Sequence, residues 1–518
     1  MRTRYVNFSL WRGDDSPTVE SEFDVVDGVV QAISGTPDKV IDLDSGFVMP
    51  AFRDGHCHPL FAGREHLGPD VTGSKTLAEV QAAVATYAEA NPHEYWLDGA
   101  AFDRSIEAKF TRQELDAVVA DRPVVLHGGD HHTLWVNTKA LELAGILHEQ
   151  PQLEVGSVDV DNAGVATGML REWQAMQLVM KLIPALDLEA ELSCLAWAQS
   201  RLLRAGVVEV QDAWIDRGMT EIYLEAARRN QLSITTHLAF RADPATWRTD
   251  LDYFVEMRNQ TVTAGHPRLK ANAIKFFVDG VFGSSTALVS EPYVSGPAAG
   301  EHGEAVWSQD EFLAAATAAN ELGFQLHMHA IGDSAVGRAL DLVETLGPII
   351  PAVIAHTELV KPEDLGRFAK LNVIANFEPL WAREDGQLLS CQHQLGRQRL
   401  DRMYQMRDLQ DLGARLSFGS DWPVSSPDAL LGIATAVNRC VQGEKSWTLE
   451  QALTAEEALL AYTRGSYGQF RDSDGWQLLE GNESNFVVLD RDPRSVESQE
   501  LFEIRIKRVV TSTDSIAL

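Results

Sequence analysis

Short apolar runs that end on a histidine, lysine or aspartate recur along this chain, and from residue 200 onward they alternate with helical periodicities. A run at 207–212 is followed by a helical stretch at 220–229, a run at 233–238 and a second helical stretch at 247–258. Further runs lie at 273–279, 325–329, 352–356, 373–377 and 415–421, with helices between most of them. Counting the run that ends at His58, this makes eight strands alternating with helices. That is the pattern of an α/β fold, a (β/α)8 TIM-type barrel.

The first strand and the second are far apart. Residues 60–200 read as mostly helical, with amphipathic stretches at 77–88 and 188–203 and one strand-like piece at 122–127. The spacing makes 60–200 a long insertion after strand 1, expected to form a lid or a wall of the substrate pocket, because βα loops lie over the C-terminal mouth of a barrel. Residues 1–49 and 468–518 are both β-rich, and Asp27-Gly28 between two β-branched pairs is a hairpin signal. The expectation is a small β-sandwich-like domain built from 1–49 plus 468–518, flanking a barrel over 50–467.

Composition narrows the function classes. The chain has 518 residues with 45% hydrophobic and 23% charged, which is globular, and a formal net charge of -31. That charge repels nucleic acid and anionic membranes, so neither is an expected partner. Four scattered cysteines without CxxC spacing suit a reducing compartment and no disulfide framework. No leader or spanning segment is read, so the expected location is cytoplasmic.

His56 and His58 carry the chemistry first. On a strand, residues two apart project from one face, so both imidazoles can reach one ion while Cys57 points away. If all strands run toward one mouth, His56, His58, Lys275, His329, His356 and Asp421 converge there. Imidazole nitrogen and carboxylate oxygen suit a divalent metal, Zn²⁺ being the first choice, with one position kept for water. A carboxylate beside such water can serve as general base. His327 shares the strand face of His329.

The motifs Pro50-Ala-Phe-Arg-Asp-Gly-His-Cys-His58, Asp130-His-His-Thr-Leu-Trp-Val-Asn137, Lys275-Phe-Phe-Val-Asp-Gly280 with Gly283-Ser-Ser-Thr-Ala287, His329-Ala-Ile-Gly-Asp333 and Gly419-Ser-Asp-Trp-Pro-Val424 go further. Their order over nearly the whole chain resembles the amidohydrolase superfamily, in its long-insert branch with N-substituted formamide deformylase. The resemblance implies that His56, His58 and Asp421 hold the more buried metal and that His329 and His356 hold a second. It also implies that Lys275, carboxylated by CO₂, bridges the two, with Asp421 as the catalytic base. His329 is preferred over His327 because Ala-Ile-Gly-Asp follows it; His327 is then a core histidine or a neighbour of the metals. An unmodified Lys275 paired with Asp279 or another carboxylate is the alternative, and would leave one ion.

Substrate contacts are sought at Asp130, His132, Trp135 and Glu172 in the insertion and at Trp381 and Trp422 beside strand ends. The chain departs from the family at Ala51, at Ala355 before His356 and at Glu378-Pro379, where Gln-Pro is frequent. The expected activity is hydrolysis of an amide, formamide or cyclic amide by metal-activated water with an Asp general base. Esterase, lactonase or deaminase chemistry on the same barrel, and a non-catalytic binding or regulatory relative, are the alternatives. The expected partner is a small-molecule substrate, with a homodimer admitted.

Overall fold

The computed structural model describes every residue except 14–18, 105, 130, 154–155, 297, 471–474, 514 and 518. Eight parallel strands form one sheet in consecutive order: β1 (Phe52–Cys57), β2 (Val207–Ile215), β3 (Thr235–Arg241), β4 (Leu269–Phe277), β5 (Gln325–Ala330), β6 (Val353–His356), β7 (Ile374–Phe377) and β8 (Arg415–Phe418). The strands are buried on nearly every residue, as in β2, where only Trp214 is partly exposed. That explains why they read as continuous apolar runs rather than alternating ones.

The intervening helices carry their charges where the backbone dipole favours them. Leu188–Arg204 has Glu189 and Glu191 in its first turn and Arg201 and Arg204 in its last, and Pro362–Lys370 starts on proline and ends on Arg367 and Lys370.

β1 and β8 meet at the strand ends. The Asp421 amide donates to the His56 carbonyl (2.7 Å) and the His58 amide to the Trp422 carbonyl (2.7 Å). The buried Asp54 carboxylate adds a second clasp, accepting from the Ser420 amide at 3.0 Å and hydroxyl at 2.5 Å. Below, Gln469 donates to the Gly55 carbonyl (2.7 Å) and accepts from the Ser417 hydroxyl (2.6 Å), filling the barrel floor.

Both termini enter a single seven-stranded sheet, and the Asp27-Gly28 hairpin forms with φ of 50° and 79° at its two central residues. The strand Lys39–Pro50 runs straight into β1, and the amides of Ala51 and Phe52 donate to the carbonyls of Asn485 and Gly206. Terminal strands and barrel belong to one compact unit, Met1–His58 with Gln199–Leu518.

Pro59–Ala198 is a second unit. It is not mostly helical: it holds a five-stranded sheet of Leu97–Phe102, Val124–Gly128, Thr133–Val136, Ala166–Arg171 and Ser157–Val160. These strands are short and two carry a glycine inside (Gly99, Gly168), so their alternation is too brief to outweigh the helical stretches around them. No described helix is long and apolar enough to cross a membrane. All four cysteines are free and buried.

Candidate metal centre

Parallel register decides which side chains meet. Lys275 pairs with His327, Phe277 with His329, His329 with Ala355 and Ala330 with His356, so successive inward positions rise in layers toward the C-terminal mouth. His56, His58, Lys275, His329, His356 and Asp421 are all buried. Among the described residues, His56, His356 and Asp421 each offer a donor atom within 4.8 Å of the other two.

His58 joins this cluster through Asp421, its Nε2 lying 2.9 Å from Oδ1, while His56 Nε2 lies 3.5 Å from the same oxygen. Lys275 Nζ is 3.2 Å from His56 Nε2. Lys275 does not pair with Asp279, whose carboxylate instead accepts the amides of Leu288, Ile331 and Gly332. His329 stands slightly apart: its ring centroid is 4.5 Å from that of His356, and its Nε2 donates to the Gly280 carbonyl at 3.1 Å.

Electrostatics keep the donors in ligating form. Burial, together with the Lys275 charge, pushes His56 well below the usual imidazole range, leaving a neutral ring with a free lone pair. Burial also pulls the Lys275 ammonium down to about 7 against the attraction of Asp421 and Glu378. For Asp421, burial pushes upward, but the hydrogen bond and charge of His58 hold it below the ordinary carboxylate value. His356, Thr357 and Asp421 have positive φ (74°, 44° and 54°), a strained backbone of the kind found at functional sites.

Three further buried groups stand beside these donors, of which the sequence marks His327 and Glu378 without a role. Asp54, raised to about 7 by burial, clasps Ser420 and the His56 amide (3.0 Å), and so fixes the two strand ends that bear His56 and Asp421. His327, deeper on β5, puts Nε2 2.9 Å from His56 Nδ1, orienting that ring. Glu378 Oε2 lies 2.9 Å from His356 Nδ1. The Asp-Gly before His56 and the first histidine of His327-Met-His329 were the available hints.

The remaining predicted residues separate. Trp381 stacks on His356 (centroids 5.6 Å apart, planes 6° from parallel), whereas Trp422 is buried and donates its amide to the Ser420 hydroxyl. Trp135 is fully buried in the core of the second unit against Phe102 and Phe110, with Nε1 donating to the Thr111 carbonyl, so packing takes up its ring. His132 and Glu172 pair at 2.9 Å within that unit, and Glu172 has φ of 65°. Asp130 lies outside the described residues.

The donor set fits a divalent cation. Among the described residues, the buried atoms His327 Nδ1 and Glu378 Oε1 have no hydrogen-bond partner, and the neutral His56 ring lies 3.5 Å from the ionised Asp421 carboxylate. Such a cluster is poorly satisfied by its own members and well satisfied by a positive ion.

A nearly closed parallel barrel with imidazole and carboxylate donors gathered at its strand ends is the architecture of barrel proteins with a central metal site. The chain belongs to the amidohydrolase family, whose Amidohydro_3 model matches residues 39–513. It is 26% identical to YtcJ of Bacillus subtilis (strain 168) over 97% of this chain and 98% of that protein. It is also 26% identical to the N-substituted formamide deformylase of Arthrobacter pascens, covering 92% and 89%. The solved structure of an uncharacterized metal-dependent hydrolase from Pyrococcus horikoshii OT3 superimposes with a TM-score of 0.77 at 28% identity, over 96% of this chain and 99% of that one. Family and structural likeness together support a metal-dependent hydrolase.

Proposed function

We propose that this chain hydrolyses a carbon–nitrogen bond of a small amide, formamide or cyclic amide, with Asp421 as general base at a divalent-metal site. The observation that carries the reading is the gathering of His56, His356 and Asp421 donors within 4.8 Å at the end of the barrel. His56, His58, His356 and Asp421 would hold the ion, with His329 and Lys275 completing the site if there are two; Zn²⁺ suits the nitrogen-rich donors. Carboxylation of Lys275 is part of the same reading, since a buried amine that is neutral near pH 7 can react with CO₂.

When bound, the ion supplies a lowered pKa for water and polarisation of the substrate carbonyl. Asp421 takes the proton released from that water at its carboxylate and returns it to the departing nitrogen. His58, 2.9 Å from Asp421 Oδ1, fixes the direction of that carboxylate. Trp381, lying flat on His356, offers an apolar face to a substituent on the amide. The likeness to an N-substituted formamide deformylase favours amides over esters and amino-heterocycles.

The test replaces Asp421 with Asn, which keeps an oxygen at the same place but cannot take the proton. Turnover on a paired panel of amides, esters and amino-heterocycles should fall at least about 10²-fold, with metal content retained. Wild-type-like turnover in D421N removes Asp421 as base. A preference of the native enzyme for esters or amino-heterocycles replaces the amide reading, and an inert metal-loaded protein replaces the enzymatic one.

A further inference from the structure

Glu378 follows β7 and precedes the short turn Pro379–Trp381. Its side chain is completely buried, its Oε2 lies 2.9 Å from His356 Nδ1, and its Oε1 has no hydrogen-bond partner among the described residues. In its own turn Pro379 has no N–H, and the Trp381 amide goes to the Glu378 main-chain carbonyl (3.0 Å). A buried carboxylate with half its lone pairs unmatched is costly unless positive charge is taken up beside it.

The His356 ring is held on all sides. Trp381 stacks on one face, and the rings of His329 and His56 approach with centroids 4.5 and 4.7 Å away. With the plane held by packing, a Glu378 carboxylate that takes the Nδ1 proton in a hydrogen bond leaves the lone pair on Nε2.

We propose that Glu378 is a positioning residue of the metal centre, forming a carboxylate–imidazole–metal unit with His356 that fixes its tautomer and strengthens its donor nitrogen. This rests on the reading that the site holds a divalent ion. In such units the outer carboxylate raises ligand basicity, and its removal weakens metal binding about 10–100-fold. In this chain the carboxylate differs from the glutamine frequent at this position in being only an acceptor and in placing a negative charge behind the ligand.

The experiment measures metal binding directly. Chelator-stripped full-length protein is titrated with Zn²⁺ and Co²⁺ against a chromophoric chelator for the wild type, Glu378→Gln, His356→Ala and the double variant. Glu378→Gln should bind about 10–100-fold more weakly with a shifted Co²⁺ absorption band, and the double variant should lose no more than His356→Ala alone. Binding within twofold of wild type with an unchanged Co²⁺ band overturns the proposal, as does an additive loss in the double variant.

Nitrogen-15 histidine spectra of the Zn²⁺-loaded wild type, with His356 assigned through His356→Asn, add a readout independent of how Glu378→Gln folds. His356 should be protonated at Nδ1 and metallated at Nε2, and the opposite arrangement overturns the proposal. None of these measurements uses a substrate, so a protein that turns over nothing in the panel yet responds at Glu378 loses the hydrolase reading alone.

Discussion

Gly419 sits just beyond β8, where the backbone of His56 passes so closely that a side chain has no room. A Cβ built there would lie 2.7 Å from the His56 nitrogen, 2.9 Å from its Cβ and 3.0 Å from its carbonyl oxygen, against 3.4 Å for ordinary contact. Gly419→Ala therefore demands a displacement of about 0.4–0.7 Å between the two strand ends. His56 cannot yield alone, because its amide is bound to Asp54 (3.0 Å) and its carbonyl to the Asp421 amide (2.7 Å). Metal–donor distances tolerate only about 0.2 Å, so the strain falls on the ligands.

Gly419→Ala should destabilise the metal-free protein by about 1–3 kcal/mol and weaken Zn²⁺ binding in the same preparation. Thermal unfolding with and without Zn²⁺, together with chelator competition, reads both. Gly366→Ala is the control: in the helix Pro362–Lys370 nothing lies within 4 Å of the added carbon, and a small gain of about 0.4–1 kcal/mol is expected. A Gly419→Ala protein with wild-type melting and metal affinity would refute the argument that β1 and β8 are locked together around His56.

The other predictions concern packing, pH and the ion. Trp135→Ala should cost about 3–5 kcal/mol of local stability, seen as faster hydrogen exchange or proteolysis within Pro59–Ala198; unchanged protection with a raised KM would make Trp135 a substrate contact instead. Asp24 is buried, and its hydrogen bonds from Arg4, then Arg2 and the Ser34 amide, outweigh burial and hold its carboxyl below the ordinary value. Its contribution is thus present above about pH 4 and is lost as pH falls through the depressed folded value. Asp24→Asn should lower stability by about 2 kcal/mol at pH 7 and narrow its deficit from wild type in acid, as denaturant titrations at pH 7 and pH 3 would record. Restoring Zn²⁺ to stripped protein at a hundred times its Kd should add about 2.7 kcal/mol, and a melting temperature indifferent to Zn²⁺ would mean that the buried donors bind none.

Residue pattern alone carried the strand-ending polar residues, their order along the chain and the parallel barrel they imply, because side-chain direction along a strand is a local property with a period of two. His56 and His58 are two apart, and so is His329 from His327, so each pair was assigned to one face without knowledge of any partner.

Which of these atoms come within ligand distance belongs to the tertiary structure. The register between β4, β5 and β6, and the seam between β1 and β8, bring His56, His356 and Asp421 together across hundreds of residues while leaving His329 on the Gly280 carbonyl. The roles of Asp54 and Glu378 could not be read locally because their partners, Ser420 and His356, lie far off in sequence or on another strand. Trp135 read as a pocket residue and proved to be core, and the sheet of Pro59–Ala198 was hidden in strands too short to show a period. Local chemistry decides which way each side chain points; only packing over the whole chain sets the fractions of an ångström on which a shared ion depends.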